Sequence, residues 1–282
     1  MKLRIEFMKK ISIQGFPGAF HHIAATNYEG SPVEVVGRHT FDEVIEDVEH
    51  NEEIDYGMMA IENSIAGSLL RNYSLIQNSR VQIVGETYLR IKQNLLAIPG
   101  VRIEDLKEVH SHPIALAQCE EFFSVYPHIH LVSTYDTAES AYDISQNGTA
   151  HIGAIASSMA GEMYNLNTLA ASIETNKQNY TRFLVLDDHM HTEDFDKISI
   201  SFRVSHAIGS LYKALKNLSL NHCNLTKIQS VPILGEPWQY LFFADFVLGE
   251  PERLEEIIVE FSEHARGVRV LGKYKEGKHY EG

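Results

Sequence analysis

Cysteine is scarce. The chain has two, Cys119 and Cys223, in 282 residues. They lie far apart and in no metal-ligand spacing, which excludes a disulfide scaffold and a cysteine metal site. No unbroken apolar run is long enough to span a bilayer. The N-terminus, MKLRIEFMKKISIQGF, is basic but too often interrupted to form the apolar core of a signal peptide. Met8, followed by Lys9, Lys10 and a strand, is a second plausible start, with the first seven residues as an extension. Together these features predict a reduced, cytoplasmic protein. Basic surplus is missing too: Lys+Arg is 24 against 38 Asp+Glu, a net charge of −14. That argues against general nucleic-acid binding and against docking on anionic membranes. It leaves open an anionic small molecule in a locally positive pocket. There is no Gly-rich phosphate loop with a lysine and no Gly-x-Ser-x-Gly elbow. His110/His112, His128/His130 and His189/His191 form His-x-His pairs, but spacing suggests no third ligand, so no metal is expected.

What is present is ordinary globular composition, 44% hydrophobic and 22% charged, enough for two domains of usual size. The first two-thirds alternates short apolar strands with helical stretches. Strands are predicted at 10–16, 33–37 and 56–62, with helices at 19–28 and 41–50. This order implies a parallel sheet covered by helices. A strand-rich crossing over 81–98 leads to a second alternation: strands at 108–111, 130–134 and 151–157, and helices from Pro113 to Tyr126 and over 137–146. Strand character returns at 180–186. Two such halves predict two lobes with a cleft between them. The acidic stretch 187–196 is the best linker. Beyond it the periodicity reads βαββαβ, a ferredoxin-like unit.

Several residues could carry chemistry. Glu62-Asn63-Ser64 with Gly67 follows the third strand, where Asn63 or Ser64 caps a helix or helps hold an anion. Gly18 lies between strand and helix, where it serves a tight turn or a close ligand approach. His21 and His22 follow it, facing the cleft or packing at the core edge. His112 and Asp136-Thr137 each open a helix in the second half, as caps or as site residues. Thr181-Arg182 offers a hydroxyl beside a guanidinium, and arginine binds carboxylates through paired hydrogen bonds. The plain alternative is an edge strand with a solvated Arg182.

Taken in order, these motifs resemble the prephenate dehydratase family with a C-terminal ACT regulatory domain, from about Lys10 to about Tyr274. The most specific stretch is Asn179-Tyr180-Thr181-Arg182-Phe183. Ile61-Glu62-Asn63-Ser64 with Gly67, Ser111-His112-Pro113 with Gln118-Cys119, and Asp136-Thr137-Ala138-Glu139 accompany it. The resemblance implies a bilobal α/β catalytic region like type II periplasmic binding proteins over 9–187. One lobe is 9–86 with 176–187, the other 87–175, and the ACT domain covers 197–275. It implies conversion of prephenate to phenylpyruvate, water and carbon dioxide, with no cofactor and no metal. Thr181 would donate to the leaving hydroxyl or orient it, with a relay through Glu62 or a histidine as an option. Arg182 would hold a carboxylate or fix the loop. Asn63, Ser64, His112 and Thr137 would line the cleft, with Gly18, His21 and His22 at its edge and Phe183 beneath.

The resemblance further implies feedback by L-phenylalanine, bound between paired ACT domains in a homodimer or homotetramer. Gly209, Ser210, Leu211, Asn224, Leu225, Gln229, Ser230 and Pro232 are the positions concerned. The chain departs from the family pattern at Ala19, where a hydroxyl is usual, and at Gln229 and Val231, where charged residues are usual. Arogenate dehydratase is the nearest rival reading. A non-catalytic amino-acid sensor and a periplasmic solute receptor are more distant ones.

Overall fold

The computed structural model describes residues 8–189 and 193–282. The expected extension over residues 1–7, and His191 in the acidic linker, lie outside the described residues.

The first lobe opens with β1 (Lys10–Gln14), α1 (Phe20–Glu29), β2 (Glu34–Arg38), α2 (Phe41–His50) and β3 (Tyr56–Asn63). Helix α2 starts where its sequence says it should. Thr40 accepts from the Glu43 N–H while the Glu43 carboxylate accepts from the Thr40 N–H, a reciprocal cap. The lobe continues through β4 (Gly67–Ser68), α3 (Leu70–Asn78) and β5 (Gln82–Arg90). The chain then builds the second lobe. Its elements are β6 (Asn94–Ala97), β7 (Glu108–Ser111), α4 (Pro113–Gln118), α5 (Glu120–Phe123), β8 (His130–Ser133), α6 (Thr137–Asn147), β9 (Ile152–Ala156), α7 (Ser158–Met163) and β10 (Asn167–Ala170). Strand β11 (Tyr180–Asp187) returns to the first lobe and lies between β3 and β5. The C-terminal unit is β12 (Lys197–Arg203), α8 (Ser210–Leu220), β13 (Asn224–Pro232), β14 (Tyr240–Val247), α9 (Leu254–Ser262) and β15 (Arg266–Tyr274), followed by β16 (Lys278–Tyr280).

In the first lobe β1 runs parallel to β2 and β3, and β11 runs antiparallel to β3 and β5. Strands β3 and β11 are buried along nearly their whole length, which accounts for their continuous apolar runs, Met58–Ile61 and Phe183–Leu186. The second lobe is a separate sheet in the order β10-β6-β9-β7-β8. The C-terminal strands pair in the ferredoxin-like order β15-β12-β14-β13. Two cores fill the second lobe, one of them around Leu95, Val109, Leu116 and Ile155.

Three features depart from the sequence reading. The helix expected over 113–126 breaks at Cys119 into α4 and α5. Elements α7, β10 and β16 are too short to show a period, α7 spanning only 6 residues; α3, which buries Tyr73 and Ile76 at helical spacing, is simply missing from the expected elements. Finally, the C-terminal unit is not hung loosely on its acidic connection. Phe243, Leu271 and Tyr274 share one core with Met59, Ile61, Tyr73 and Leu184 of the first lobe. Strand β15 also joins β5 in parallel at Gly272↔Ile83. A Cβ at Gly272 would collide with the Ile83 carbonyl oxygen, so glycine is what lets the two backbones meet.

Candidate active site

The site grows from the register of β3 and β11. Thr181 pairs with Asn63, Arg182 with Glu62, and Phe183 with Ala60, which leaves Ile61 as the extra residue of a bulge. Side chains alternate along a strand, so Thr181 and Phe183 share a face and Arg182 takes the other. The bulge shifts β3 by one residue, turning Glu62 away from that face and Asn63 onto it. Thr181, Phe183, Ala60 and Asn63 therefore line a cleft of about 340 Å³ between the lobes. The second lobe contributes His112, Gln118, Tyr135, Asp136 and Thr137, with Gln93 from the crossing between lobes.

Amide side chains hold the threonine. Asn63 Oδ1 accepts from the N–H groups of Ile65 and Ala66, at 3.0 and 2.9 Å, which fixes the orientation of its amide. Its Nδ2 then donates to Thr181 Oγ1 at 3.0 Å and to Asn179 Oδ1 at 2.8 Å. Because Thr181 Oγ1 accepts here, its own proton is free to point elsewhere. The network continues across the lobes. Gln118 Oε1 accepts from Asn179 Nδ2 at 3.0 Å and from Gln93 Nε2 at 3.3 Å. Gln93 Oε1 is a buried acceptor without a partner among the described residues.

Among the described residues lining the cleft there is no lysine or arginine, and Asp136 is the one carboxylate. Asp136 caps α6, accepting from the N–H groups of Ala138 and Glu139 at 2.8 and 2.9 Å. Burial raises its pKa, against the lowering effect of those bonds. Burial also lowers the pKa of His112, whose Nδ1 accepts from the Ile114 N–H at the start of α4.

His21 packs edge-on against Phe183, 4.9 Å between centroids, and its Nε2 accepts from the Ala60 N–H at 3.3 Å. Burial pushes its pKa from 6.5 down to about 3, so the imidazole is neutral. The sign of the consequence follows. Between the two values the unfolded chain binds a proton that the folded chain refuses, so stability falls as pH drops from 6.5 toward 3. Urea unfolding at about pH 7 and about pH 4.5 should show wild type losing roughly 2 kcal/mol more than His21→Gln. Equal losses in the two proteins would contradict a neutral, half-buried His21.

Five expected contacts fall elsewhere. Arg182 is 5% exposed and lies on the face away from the cleft, paired with Glu86 and Asp245. Glu62 sits on that same far face and pairs with Lys227. Strand alternation and the bulge are the physical reasons for both corrections. Ser64 Oγ donates to the Gln178 carbonyl and accepts from the Tyr180 N–H, tying the β3–β4 loop to β11 instead of lining the cleft. Gly18, at φ 88°, faces α7, where a Cβ would come within 3.0 Å of Ala160 Cα. It serves contact between lobes, not ligand approach. His22 Nδ1 accepts from the Gly18 N–H and braces that turn.

Gln93, Gln14, Ser68 and Tyr135 line the cleft but belong to none of the expected site residues. Gln93 sits among Arg90, Lys92 and Asn94 in the crossing, so no sequence signal singles it out. In the C-terminal unit, Gly209, Ser210 and Leu211 line a cavity of about 460 Å³ with His206 and Trp238. Asn224, Leu225, Gln229, Ser230 and Pro232 lie apart from it, on the edge strand β13. One chain does not bring the two groups together.

A cleft between two α/β lobes, walled by amides, hydroxyls and neutral imidazoles, defines a small-molecule site of the kind periplasmic binding proteins carry. The family model described as prephenate dehydratase matches residues 11–191. Arogenate dehydratase/prephenate dehydratase 1 of Arabidopsis thaliana is 36% identical over 287 residues, covering 94% of this chain and 71% of that protein. The structure of GqqA, described as a novel type of quorum quenching acylase, is 29% identical with a TM-score of 0.84, covering 94% of this chain and 97% of that one. The prephenate dehydratase of Arthrobacter aurescens, solved in complex with L-Phe, is 24% identical with a TM-score of 0.83, covering 95% and 90%. The chain belongs to the prephenate dehydratase family.

Proposed function

We propose that the chain converts prephenate to phenylpyruvate, with Thr181 acting on the leaving hydroxyl. The observation that carries this is the bond from Asn63 Nδ2 to Thr181 Oγ1, which uses the oxygen as an acceptor and leaves the threonine's proton free for a group in the cleft. The ring hydroxyl departs with the C–O bonding pair, gathering negative charge as it goes, and becomes water by taking a proton from solvent. The bond between the ring and its carboxylate breaks to release carbon dioxide, and its electron pair restores aromaticity. A threonine is a weak acid, so its part is a hydrogen bond that strengthens as negative charge grows on the departing oxygen. A wall without lysine or arginine suits the other half of the reaction. A tightly clamped carboxylate would be stabilised in the ground state, and its loss opposed. The Glu62 relay is given up, since that carboxylate faces Lys227.

An acylase reading, suggested by the GqqA likeness, lacks support at the same atom. A threonine nucleophile needs an adjacent base, and the partner found at Thr181 Oγ1 is an amide donor. Arogenate is favoured as an alternative substrate by one observation: Gln93 Oε1 has no partner among the described residues and would accept from its ammonium group. Parallel assays settle the choice, with phenylpyruvate the product from prephenate and phenylalanine the product from arogenate. A kcat/KM for arogenate above that for prephenate would replace the substrate while keeping the chemistry.

The C-terminal unit is proposed to be an ACT domain that binds L-phenylalanine between two copies of the chain. Support comes from its βαββαβ order and from the edge position of β13, which a second copy's β13 can extend. Titration calorimetry should show heat on adding phenylalanine, with a parallel fall in activity. No heat and unchanged activity would remove the effector.

A further inference from the structure

On the face opposite the cleft, four charged residues form a square. Glu62 and Arg182 are direct register partners on β3 and β11. Lys227 and Asp245 are direct register partners on β13 and β14 of the C-terminal unit. The two strand pairs face each other with signs matched, Lys227 on Glu62 and Asp245 on Arg182. One position further along the same register is the cleft-facing pair Asn63 and Thr181. The square thus sits directly behind the residues proposed to act on substrate.

Lys227 does more than pair with one carboxylate. Glu62 and Ser68 lie opposite each other across the β3–β4 hairpin. Lys227 Nζ donates to Glu62 Oε1 at 2.5 Å and to Ser68 Oγ at 2.8 Å, closing the base of that hairpin from outside. The hairpin loop carries the Ile65 and Ala66 N–H groups that orient Asn63, and Asn63 orients Thr181. The Lys227 and Glu62 side chains keep 15% and 32% of their surface exposed, so the pair is partly solvated and its contribution to stability is modest.

We propose that Lys227 is a positioning residue: reaching across from the C-terminal unit, it clamps the hairpin and thereby sets the Asn63–Thr181 hydrogen bond. This rests on the reading of Thr181 given above. It also supplies a route by which movement of β13 alters turnover without touching substrate. Small displacements of reacting groups are costly, up to about 100-fold for roughly 1 Å.

The test compares Lys227→Met, Lys227→Arg, Asn63→Ala and the Lys227→Met/Asn63→Ala double variant in the full-length protein, with thermal unfolding to verify folding. Lys227→Met should lower kcat about 10- to 100-fold with KM changed less than about threefold. Lys227→Arg should recover most of the loss. In the Asn63→Ala background the same change should cost less than about threefold, because Lys227 acts through Asn63. If Lys227→Met does not fold, Glu62→Gln takes its place with the same expectations. Unchanged kcat in Lys227→Met, or losses that multiply in the double variant, would overturn the clamp. Thr181→Ala run alongside separates the two ideas. If it is inactive while Lys227→Met is normal, only the clamp is lost; if it is fully active, the reading of the site fails first.

Discussion

Thr181→Ala should lower kcat by roughly 10²- to 10⁴-fold while KM stays within a few-fold of wild type. The range is that of a general-acid or hydrogen-bonding group acting on a leaving atom. The split between kcat and KM follows from geometry. Thr181 contributes one small hydroxyl to a cleft walled by many other polar groups, so ground-state binding survives its removal. Its bond to the departing oxygen matters most when that oxygen carries charge, which is only in the transition state. Thr181→Ser should keep much of the activity, since a serine hydroxyl can still accept from Asn63 Nδ2. Steady-state kinetics on the three proteins decide it. A normal kcat in Thr181→Ala would take Thr181 out of the mechanism.

Replacing Arg182 should damage the protein in a different way. Arg182→Met should destabilise the fold by about 3–5 kcal/mol, seen as a lower urea midpoint. Arg182 Nε donates to Glu86 Oε2 at 2.7 Å, another guanidinium nitrogen meets Asp245, and a third reaches the Tyr274 hydroxyl at 3.1 Å. Burial works against the charge on Arg182, but Asp245, Tyr274 and Glu86 outweigh it and raise its pKa. Lys197 Nζ binds the other oxygen of Glu86 at 2.7 Å, so two buried cations balance two buried anions. Removing Arg182 leaves Asp245 buried and unpaired, and that uncompensated charge is the main cost. Wild-type stability combined with a raised KM would contradict this and return Arg182 to the substrate's carboxylate.

These two neighbours show what sequence reading reaches and where it stops. A Thr-Arg pair on a strand was legible, and so was the period of two that forbids both side chains from facing one cleft. Which of them faces it depends on the layers packed on either side of β11, and that is a property of the whole fold. Glu62 and Asn63 were harder still. Their facing is reversed by the bulge at Ile61, and nothing in the apolar run Met58–Ile61 marks a bulge. The helix caps were local and were read more readily: Asp136 and His112 both cap helices in the structure, as their positions before α6 and α4 suggested. Lys227 lies 165 positions from Glu62, so no spacing rule could connect them. Gln93 and Gln118 lie 25 positions apart and belong to no spacing pattern; they meet only when the crossing between lobes is folded.

The most direct test is phenylpyruvate formation from prephenate by the purified protein at neutral pH, measured against the spontaneous background and against Thr181→Ala. The account predicts enzyme-dependent product far above background for wild type, and product close to background for the variant. Wild-type product no faster than background would contradict it.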